Sequence, residues 1–588
     1  MLPSYKYSAD LCVVGGGIAG ICAAVAAARQ GASVVLVQDR PMLGGNASSE
    51  IRMWVCGANG TQNRETGIIE EINLESLYRN PYKLYPVWDG ILYGKVKAEP
   101  NITLLLNASV CDAVMAGNKI KTVVAWQTTT QSWHYIDAKN FADCSGDSIL
   151  APLSHAEFRM GREANSEFCE HTSVETADGM TMGLSCLIQA HEENHDVDFT
   201  APEWATKLTD RDLDLRPCEL KNSYENFWYL ELGGTGDSIA DTETVRDDLI
   251  KLAYGYWDAV KNSGRFKNAS RFQLDFIGFL PGKRESRRMM GPHILTEHDV
   301  LSGGHFEDVV AYGGWGLDDH DPRGFYHKGA PNQCEEVKHI YGIPYRCLYS
   351  KNIENLFFAG RNISTTHAAL SSSRVMMTCA LLGQAVGVAA ALAAENNITP
   401  QGVYDSHIKE LQQILMRQDC FLPYFTRKAN QKTLNAKISG CENAENLRNG
   451  IDRNHELYGQ SENGVFFETG DEIKYEFTVP EHLGTAHLVF DSDLDRDTLP
   501  GDECERRHTM RCNVLLDSPK THLPLTLVRD YRLTFTDRNG VESTVTVKDN
   551  IRRMNEIKIE KTVITVSLTV LRLWGDSKKV HIFSFDFY

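Results

Sequence analysis

Near the amino terminus, Gly15-Gly16-Gly17-Ile18-Ala19-Gly20 has the GxGxxG spacing with which a backbone cradles a diphosphate. The first glycine permits a tight turn, the second lets the backbone approach the phosphates, and the third lets a helix pack closely on a strand. The positive helix N-terminus then faces the anion. The acidic residue that usually grips a ribose should end the next strand, where the chain has Gln38 followed by Asp39. Gln38 can hydrogen-bond a ribose hydroxyl, without the strength of a charged acceptor. A glycine turn that binds nothing is the bland alternative, and the position between a strand and a helix argues against it. At this point the nucleotide is equally NAD or FAD.

Three further segments favour the longer cofactor. Arg40-Pro41-Met42-Leu43-Gly44-Gly45-Asn46 follows the second strand and offers a second glycine backbone along a diphosphate and ribityl chain. Asp143-Cys144-Ser145-Gly146-Asp147 ends a strand in small residues, and Phe358-Ala359-Gly360-Arg361-Asn362 follows another strand and leads into an apolar helix. An isoalloxazine needs such a distant segment to close over it. His367 and Arg374 flank the start of that helix and are candidates for a base and an anion anchor. His320, in GGWGLDDHDP, is a second candidate base, with Asp319 or Asp321 able to orient it. A lone histidine is structural more often than not. Arg52, Trp54 and Trp315 are candidates for a pocket wall, with core packing an equal use of the tryptophans. Asp318, Asp319, His320 and Asp321 are adjacent, and neighbours in sequence rarely converge on one ion, so no metal site is expected.

The elements that position these residues follow from periodicity. Residues 10–14 read as a short apolar strand, 18–30 as an Ala-rich helix and 33–37 as a β-branched strand, together a βαβ unit. Residues 65–79 have helical apolar spacing, and 102–142 read as strands broken by a Gly-Asn turn. A helix over 241–263, a strand over 355–359, a turn over 360–366, one long helix over 372–395 and a helix over 407–417 follow. Gly383 and Gly387 give the long helix a smooth stripe for close packing, which offsets the roughly 1 kcal/mol that each glycine costs a helix. Beyond about 430, EIKYEFTV, TAHLVFDSD, THLPLTLV, STVTVKD, TVITVSLTVLRL and VHIFSFDF read as short strands between turns, the signature of a β-sandwich.

The 588 residues exceed one hydrophobic core, and the net charge of -18 gives no electrostatic reason to bind nucleic acid or an anionic membrane. A small molecule is the expected partner. Fifteen cysteines, scattered and without a CxxC pair, suggest reduced thiols rather than a disulfide framework or a zinc site. No secretory signal pattern opens the chain, so cytoplasmic residence is the expectation. The uncharged stretch 375–393 approaches the roughly 20 residues of a membrane span, but its Ala and Gly content and Gln384 favour a buried helix.

The chain resembles the FAD-dependent oxidoreductase family of glutathione-reductase-like flavoproteins, with fumarate-reductase-like relatives, and within it a bacterial group associated with carbohydrate utilisation. The segments that carry the resemblance are VVGGGIAGICAAVAAARQGASVVLVQDRPMLGGNASSEIRMWVCGA, ETGIIEEI, FADCSGDSILA with FRMGRE, PGKRESRRMMG, GGWGLDDHDP and FFAGRNISTTHAALSSSRVMMTCALLGQAVGVAAAL. It covers roughly 8–420. It implies cofactor contacts at Gly15, Gly17, Ile18, Ala19, Gly20, Gln38, Asp39, Arg40, Gly44, Gly45, Asn46, Ala47, Val110, Ser145, Gly146, Asp147, Gly360 and Arg361. It also places Arg284 and Glu285 of PGKRESRR in a segment facing the flavin, which adds them to His367, Arg374 and His320 as catalytic candidates. The C-terminal part loosely resembles discoidin-like modules through AENLRNGIDR and HLVFDSDL.

The expected fold is α/β: a Rossmann-like FAD-binding domain with an inserted α+β substrate domain, followed by a β-sandwich. The boundaries expected are 1–150 and 346–430 for the FAD-binding domain, 151–345 for the insert and 431–588 for the discoidin-like sandwich. The implied reaction is dehydrogenation of a sugar-type hydroxyl by hydride transfer to flavin. The alternatives are reduction of an activated double bond in a carboxylate, and a non-catalytic carbohydrate-binding flavoprotein. The sandwich could equally serve homo-oligomerisation.

Overall fold

The first element, β1 (Ser4–Val14), is an inner strand of a seven-stranded sheet, exposed along residues 4–6 and buried and apolar over residues 11–14. This computed structural model describes residues 2–216, 218–220, 225–459, 462–496, 498–499, 502–506, 510 and 513–588, with the side chains of 498–499 and 502–506 left out. From β1 the chain turns into α1 (Ile18–Arg29), in which every residue but Arg29 is buried, and returns as β2 (Val34–Val37) parallel to β1. β3 (Ile102–Leu105) continues the parallel set beyond β2. β4 (Ala108–Ala116), β5 (Lys119–Gln127) and β6 (Ser132–Asp143) form an antiparallel meander, with the positive-φ Gly117 in the turn between β4 and β5. β6 then lies parallel to β1, and β7 (Leu356–Phe358) pairs in parallel with the last three residues of β6. Residues 14–15, 37–40, 143–147 and 358–361 therefore emerge at the same, carboxyl-terminal edge of the parallel strands, where open α/β sheets take their ligands.

One helix was expected over 372–395; the chain makes two, α2 (His367–Ser373) and α3 (Met376–Asn396). Val375 stands extended between them (φ -68°, ψ 147°), although no proline or glycine marks the break. α3 is the one described helix long and apolar enough to cross a membrane, and 94% of its apolar window is buried inside the protein. A Cβ on Gly383 would lie 2.0 Å from the carbonyl oxygen of Ala19, and one on Gly387 2.2 Å from that of Ala23. Those two glycines let α3 lie directly against the backbone of α1.

The protein divides into two compact units. The first holds Met1–Ala58, Tyr82–Leu411 and His508–Lys520; the second holds Asn59–Pro81, Gln412–Arg507 and Thr521–Tyr588. Residues 151–345 thus belong to the same compact unit as the parallel sheet. Residues 59–81 and 412–430, expected with the cofactor domain, belong to the second unit, where Leu74 and Leu77 of the helix Ile68–Arg79 enter its core.

The second unit is built on a seven-stranded antiparallel sheet. EIKYEFTV and TAHLVFDSD are not two strands but one of 19 residues, Glu472–Phe490. THLPLTLV is mostly a turn segment, with strand beginning only at Val528, since Pro524 has no N–H to give a ladder.

Candidate functional site

The glycine turn after β1 is fixed by contacts only glycine allows. Gly15 has φ +103°, and a Cβ there would lie 2.4 Å from the Cys144 carbonyl oxygen. A Cβ on Gly20 would lie 1.8 Å from the Gly15 oxygen, so Gly20 serves helix packing and does not reach the cavity described below. Gly17, at the N-terminus of α1, is different: nothing lies within 4 Å of where its Cβ would be. The Gly44 amide donates to the Gly16 carbonyl at 2.8 Å, which brings the second glycine turn alongside the first. Gln38 ties both turns together, accepting the Gly16 N–H at 2.6 Å and donating to the Met42 carbonyl at 3.1 Å. A glutamate could make the first bond but not the second, which accounts for the amide at this position.

These turns open into a cavity of about 650 Å³, a size suited to a large ligand. Gly15, Gly17, Ile18, Ala19, Gln38, Asp39, Arg40, Gly44, Gly45, Asn46, Val110, Ser145, Gly146, Asp147, Gly360 and Arg361 all line it. Ala47 does not; it is buried, and its carbonyl takes the Trp88 indole N–H at 3.0 Å. Asp147 is held below the usual carboxylate range: burial alone would raise it, but Arg361 at 2.7 Å and Lys283 at 2.8 Å outweigh burial. The N-terminus of α3, not of a helix starting at Ser372, reaches the cavity through Val375, Met376 and Cys379. The fit to FAD is carried by Gly17, whose missing Cβ leaves open space above a helix N-terminus. A second helix N-terminus, that of α3, also faces the cavity and would favour negative charge on a group bound there.

The other wall is polar. A three-stranded sheet sets Leu184–Ser185 between Glu231–Leu232 and Gly282–Lys283, which brings Ser185, Glu231 and Arg284 together. Arg284 is buried, donates to Ser185 Oγ at 2.7 Å and the Trp228 carbonyl at 3.1 Å, and lies 3.3 Å from Glu231 Oε2. The same Glu231 oxygen is 2.8 Å from His320 Nδ1. The strand Leu317–His320, paired with Asn332–Glu335, puts Asp318 and His320 on one face, with His320 Nε2 3.5 Å from Asp318 Oδ2. Asp318 also meets Arg374 at 3.1 Å, and the Trp228 ring stands edge-on to His320 at 5.1 Å. Burial works against ionisation of Glu231 and Asp318, yet the facing Arg284, Arg374 and His320 hold both carboxyls below their ordinary range.

Arg284, His320 and Arg374 therefore line the cavity, joined by Trp54, Trp228, Trp315 and Asp318. His367 and Glu285 do not. His367 is buried, with Nδ1 2.9 Å from Glu285 Oε2 and Nε2 3.1 Å from Asp319 Oδ1. Burial would lower its pKa, but the two carboxylates push it up to about 10. With both ring nitrogens donating to carboxylates, this imidazolium has no lone pair with which to act as a base. Nor do Asp319 and Asp321 orient His320: Asp319 faces His367, and Asp321 takes Arg323 at 2.6 Å. That alternation splits the DDHD run over two faces. Arg52 turns away from the cavity to Gln189 at 2.7 Å and packs over Phe276. Glu231 and Trp228 were missed from sequence, whereas Asp318 was readable as the i-2 neighbour of His320 on a strand.

A cavity that begins at a GxGxxG turn and ends against a polar wall supplied by residues more than two hundred positions away is the architecture of a dinucleotide-dependent redox protein. The chain belongs to the FAD-dependent oxidoreductase family, whose model matches residues 10–415, and it is an FAD-dependent enzyme. Among solved structures it is similar to the myxobacterial chondrochloren halogenase (13% identity, 70% of this chain and 80% of that one, TM-score 0.33). It is also similar to a geranylgeranyl bacteriochlorophyll reductase-like protein from Thermoplasma acidophilum (13%, 70% and 86%, TM-score 0.31). A family 32 carbohydrate-binding module from Streptococcus pneumoniae EndoD matches over 26% of this chain and 94% of the module (15%, TM-score 0.19). No curated protein matches the sequence.

Proposed function

We propose that this FAD-dependent oxidoreductase dehydrogenates a hydroxyl of a small polar, sugar-type substrate to a ketone. The observation that carries the reading is the group Glu231, His320 and Arg284 on the cavity wall, a candidate base held by a buried carboxylate beside a buried cation. FAD, when bound, supplies the acceptor for the hydride that leaves the carbinol carbon. His320 takes the hydroxyl proton, and Glu231 holds the ring and balances the imidazolium that results. Arg284 and Arg374 lie on the same wall, each paired with a carboxylate, Glu231 and Asp318, and so keep the wall polar around the base. Trp228 and Trp315 exclude water and offer flat apolar faces suited to a sugar ring.

Gly17, Gly45, Gln38 and Gly360 would hold the cofactor's diphosphate and ribose portions, with Arg361 and Asp147 beside them. A second reading, reduction of a double bond in a carboxylate, is favoured by three guanidinium groups on the wall, Arg284, Arg287 and Arg374. Two of them, Arg284 and Arg374, are already balanced by Glu231 and Asp318, which leaves little free positive charge to clamp a carboxylate. The test is anaerobic: polyols and sugars are offered to the oxidised protein, and enoates to the dithionite-reduced protein. Bleaching by a polyol supports the proposal; reoxidation by an enoate, with no bleaching by any polyol or sugar, overturns it.

A further inference from the structure

Outside the cavity, His171, Glu297 and Glu335 each bring one side-chain ligand atom within 4.8 Å of the others, the one such group among the described residues. They come from three separate segments: the turn after the short helix Asn165–Phe168, the first turn of the helix Glu297–Leu301, and the end of the strand Asn332–Glu335. His171 and Glu335 are solvent-exposed, with Nε2 and Oε2 2.7 Å apart. Glu297 is fully buried, and its Oε1 accepts no hydrogen bond; the charge that faces it is His171 Nδ1.

The neighbouring acid is in the same condition. Glu170 takes the Glu297 N–H on Oε1 at 2.7 Å and the Thr366 hydroxyl on that same oxygen at 2.6 Å, while its Oε2 is buried and accepts nothing. Buried carboxylate oxygens without hydrogen-bond donors are costly, and at Glu297 such an oxygen is turned toward the exposed His171 imidazole and Glu335 carboxylate.

We propose that His171, Glu297 and Glu335 bind a divalent transition metal, with Zn²⁺ the best match. One imidazole nitrogen and two carboxylates form a borderline ligand set that suits Zn²⁺, whereas Mg²⁺ and Ca²⁺ prefer oxygen alone. Two exposed ligands leave the remaining position to water. The ion would act on the hairpin Leu317–His320/Asn332–Glu335, in which Glu335 pairs with Leu317 and Asn332 with His320. Tying Glu335 to the helix Glu297–Leu301 fixes the far end of the ladder that carries Asp318 and His320 into the cavity. The metal is thereby a positioning device for the polar wall.

The test uses the full-length, FAD-loaded protein, stripped with a chelator and titrated calorimetrically with Zn²⁺. His171→Ala/Glu335→Gln is compared with His407→Ala/Glu410→Gln, which removes another exposed histidine–carboxylate pair. Wild type and the control should share a site that the first variant loses or binds at least tenfold more weakly. A second readout is amide hydrogen exchange over 332–335, which Zn²⁺ should slow in wild type. Identical zinc binding by all three proteins with unchanged exchange overturns the proposal, and equal slowing by Mg²⁺ overturns the transition-metal assignment.

Discussion

Oε2 of Glu231 lies 2.8 Å from Nδ1 of His320, 89 residues further along the chain, and the same oxygen is 3.3 Å from the Arg284 guanidinium. One buried carboxylate therefore serves two basic residues of the cavity wall. Replacing His320 with Asn removes the proposed proton acceptor and leaves the cofactor turns untouched. Flavin content should stay that of wild type, while flavin bleaching by the best donor, followed anaerobically by stopped flow, should slow about 10²- to 10⁴-fold. A rate within a factor of about three of wild type removes His320 from the mechanism.

Glu231→Gln should act on stability as well as rate. It leaves Arg284 buried beside a neutral amide, and breaking a buried pair by removing one partner costs about 3–5 kcal/mol. The double variant Glu231→Gln/Arg284→Met removes the stranded charge and should recover part of that loss. Urea unfolding followed by tryptophan fluorescence reads both; equal midpoints for wild type and Glu231→Gln would show that the pair contributes nothing.

Gly17 and Gly20 sit three positions apart and should fail in opposite ways. A methyl on Gly17 meets no protein atom within 4 Å and enters the cavity, so Gly17→Ala should fold with a stability change of about 0.5 kcal/mol or less while binding FAD at least tenfold more weakly, about 1.4 kcal/mol. A methyl on Gly20 collides with the Gly15 carbonyl and should destabilise by about 1–3 kcal/mol or more. Flavin titration of each apoprotein, with thermal melts alongside, separates the two. Unchanged flavin affinity in Gly17→Ala would move the diphosphate away from this turn.

These contrasts also mark what the sequence makes legible. The turns at Gly15, Gly44 and Gly360 could be read because each needs a positive φ, which selects glycine locally. Asp318 and His320 could have been paired from strand alternation alone. Glu231 could not, because its contact with His320 depends on how a two-residue strand docks beside Leu184–Ser185. The break at Val375 left no mark either, since SSSRVMMT has ordinary helix formers and Arg374 bonds to Asp318 only in the folded protein. The Ile68–Arg79 helix was legible from its apolar spacing, but spacing does not say which core receives it.

His367 looked reactive in sequence and is instead a buried cation between Glu285 and Asp319, which gives it a pH signature. Its pKa rises from the ordinary 6.5 to about 10 on folding, so between those values the folded state holds a proton that the unfolded state has released. Unfolding then takes place with proton loss, and stability must fall as pH rises. The contribution is complete below about pH 6.5, declines through the interval and is gone above about pH 10. His367→Gln lacks this titration, although it is less stable throughout because two carboxylates lose their counter-charge. Urea midpoints of both proteins at pH 7, 8.5 and 10 should show the steeper decline in wild type, since cysteine and tyrosine titrations are common to both. Parallel declines would mean that His367 is neutral in the folded protein, and its two carboxylate contacts would then need another source of the shared proton.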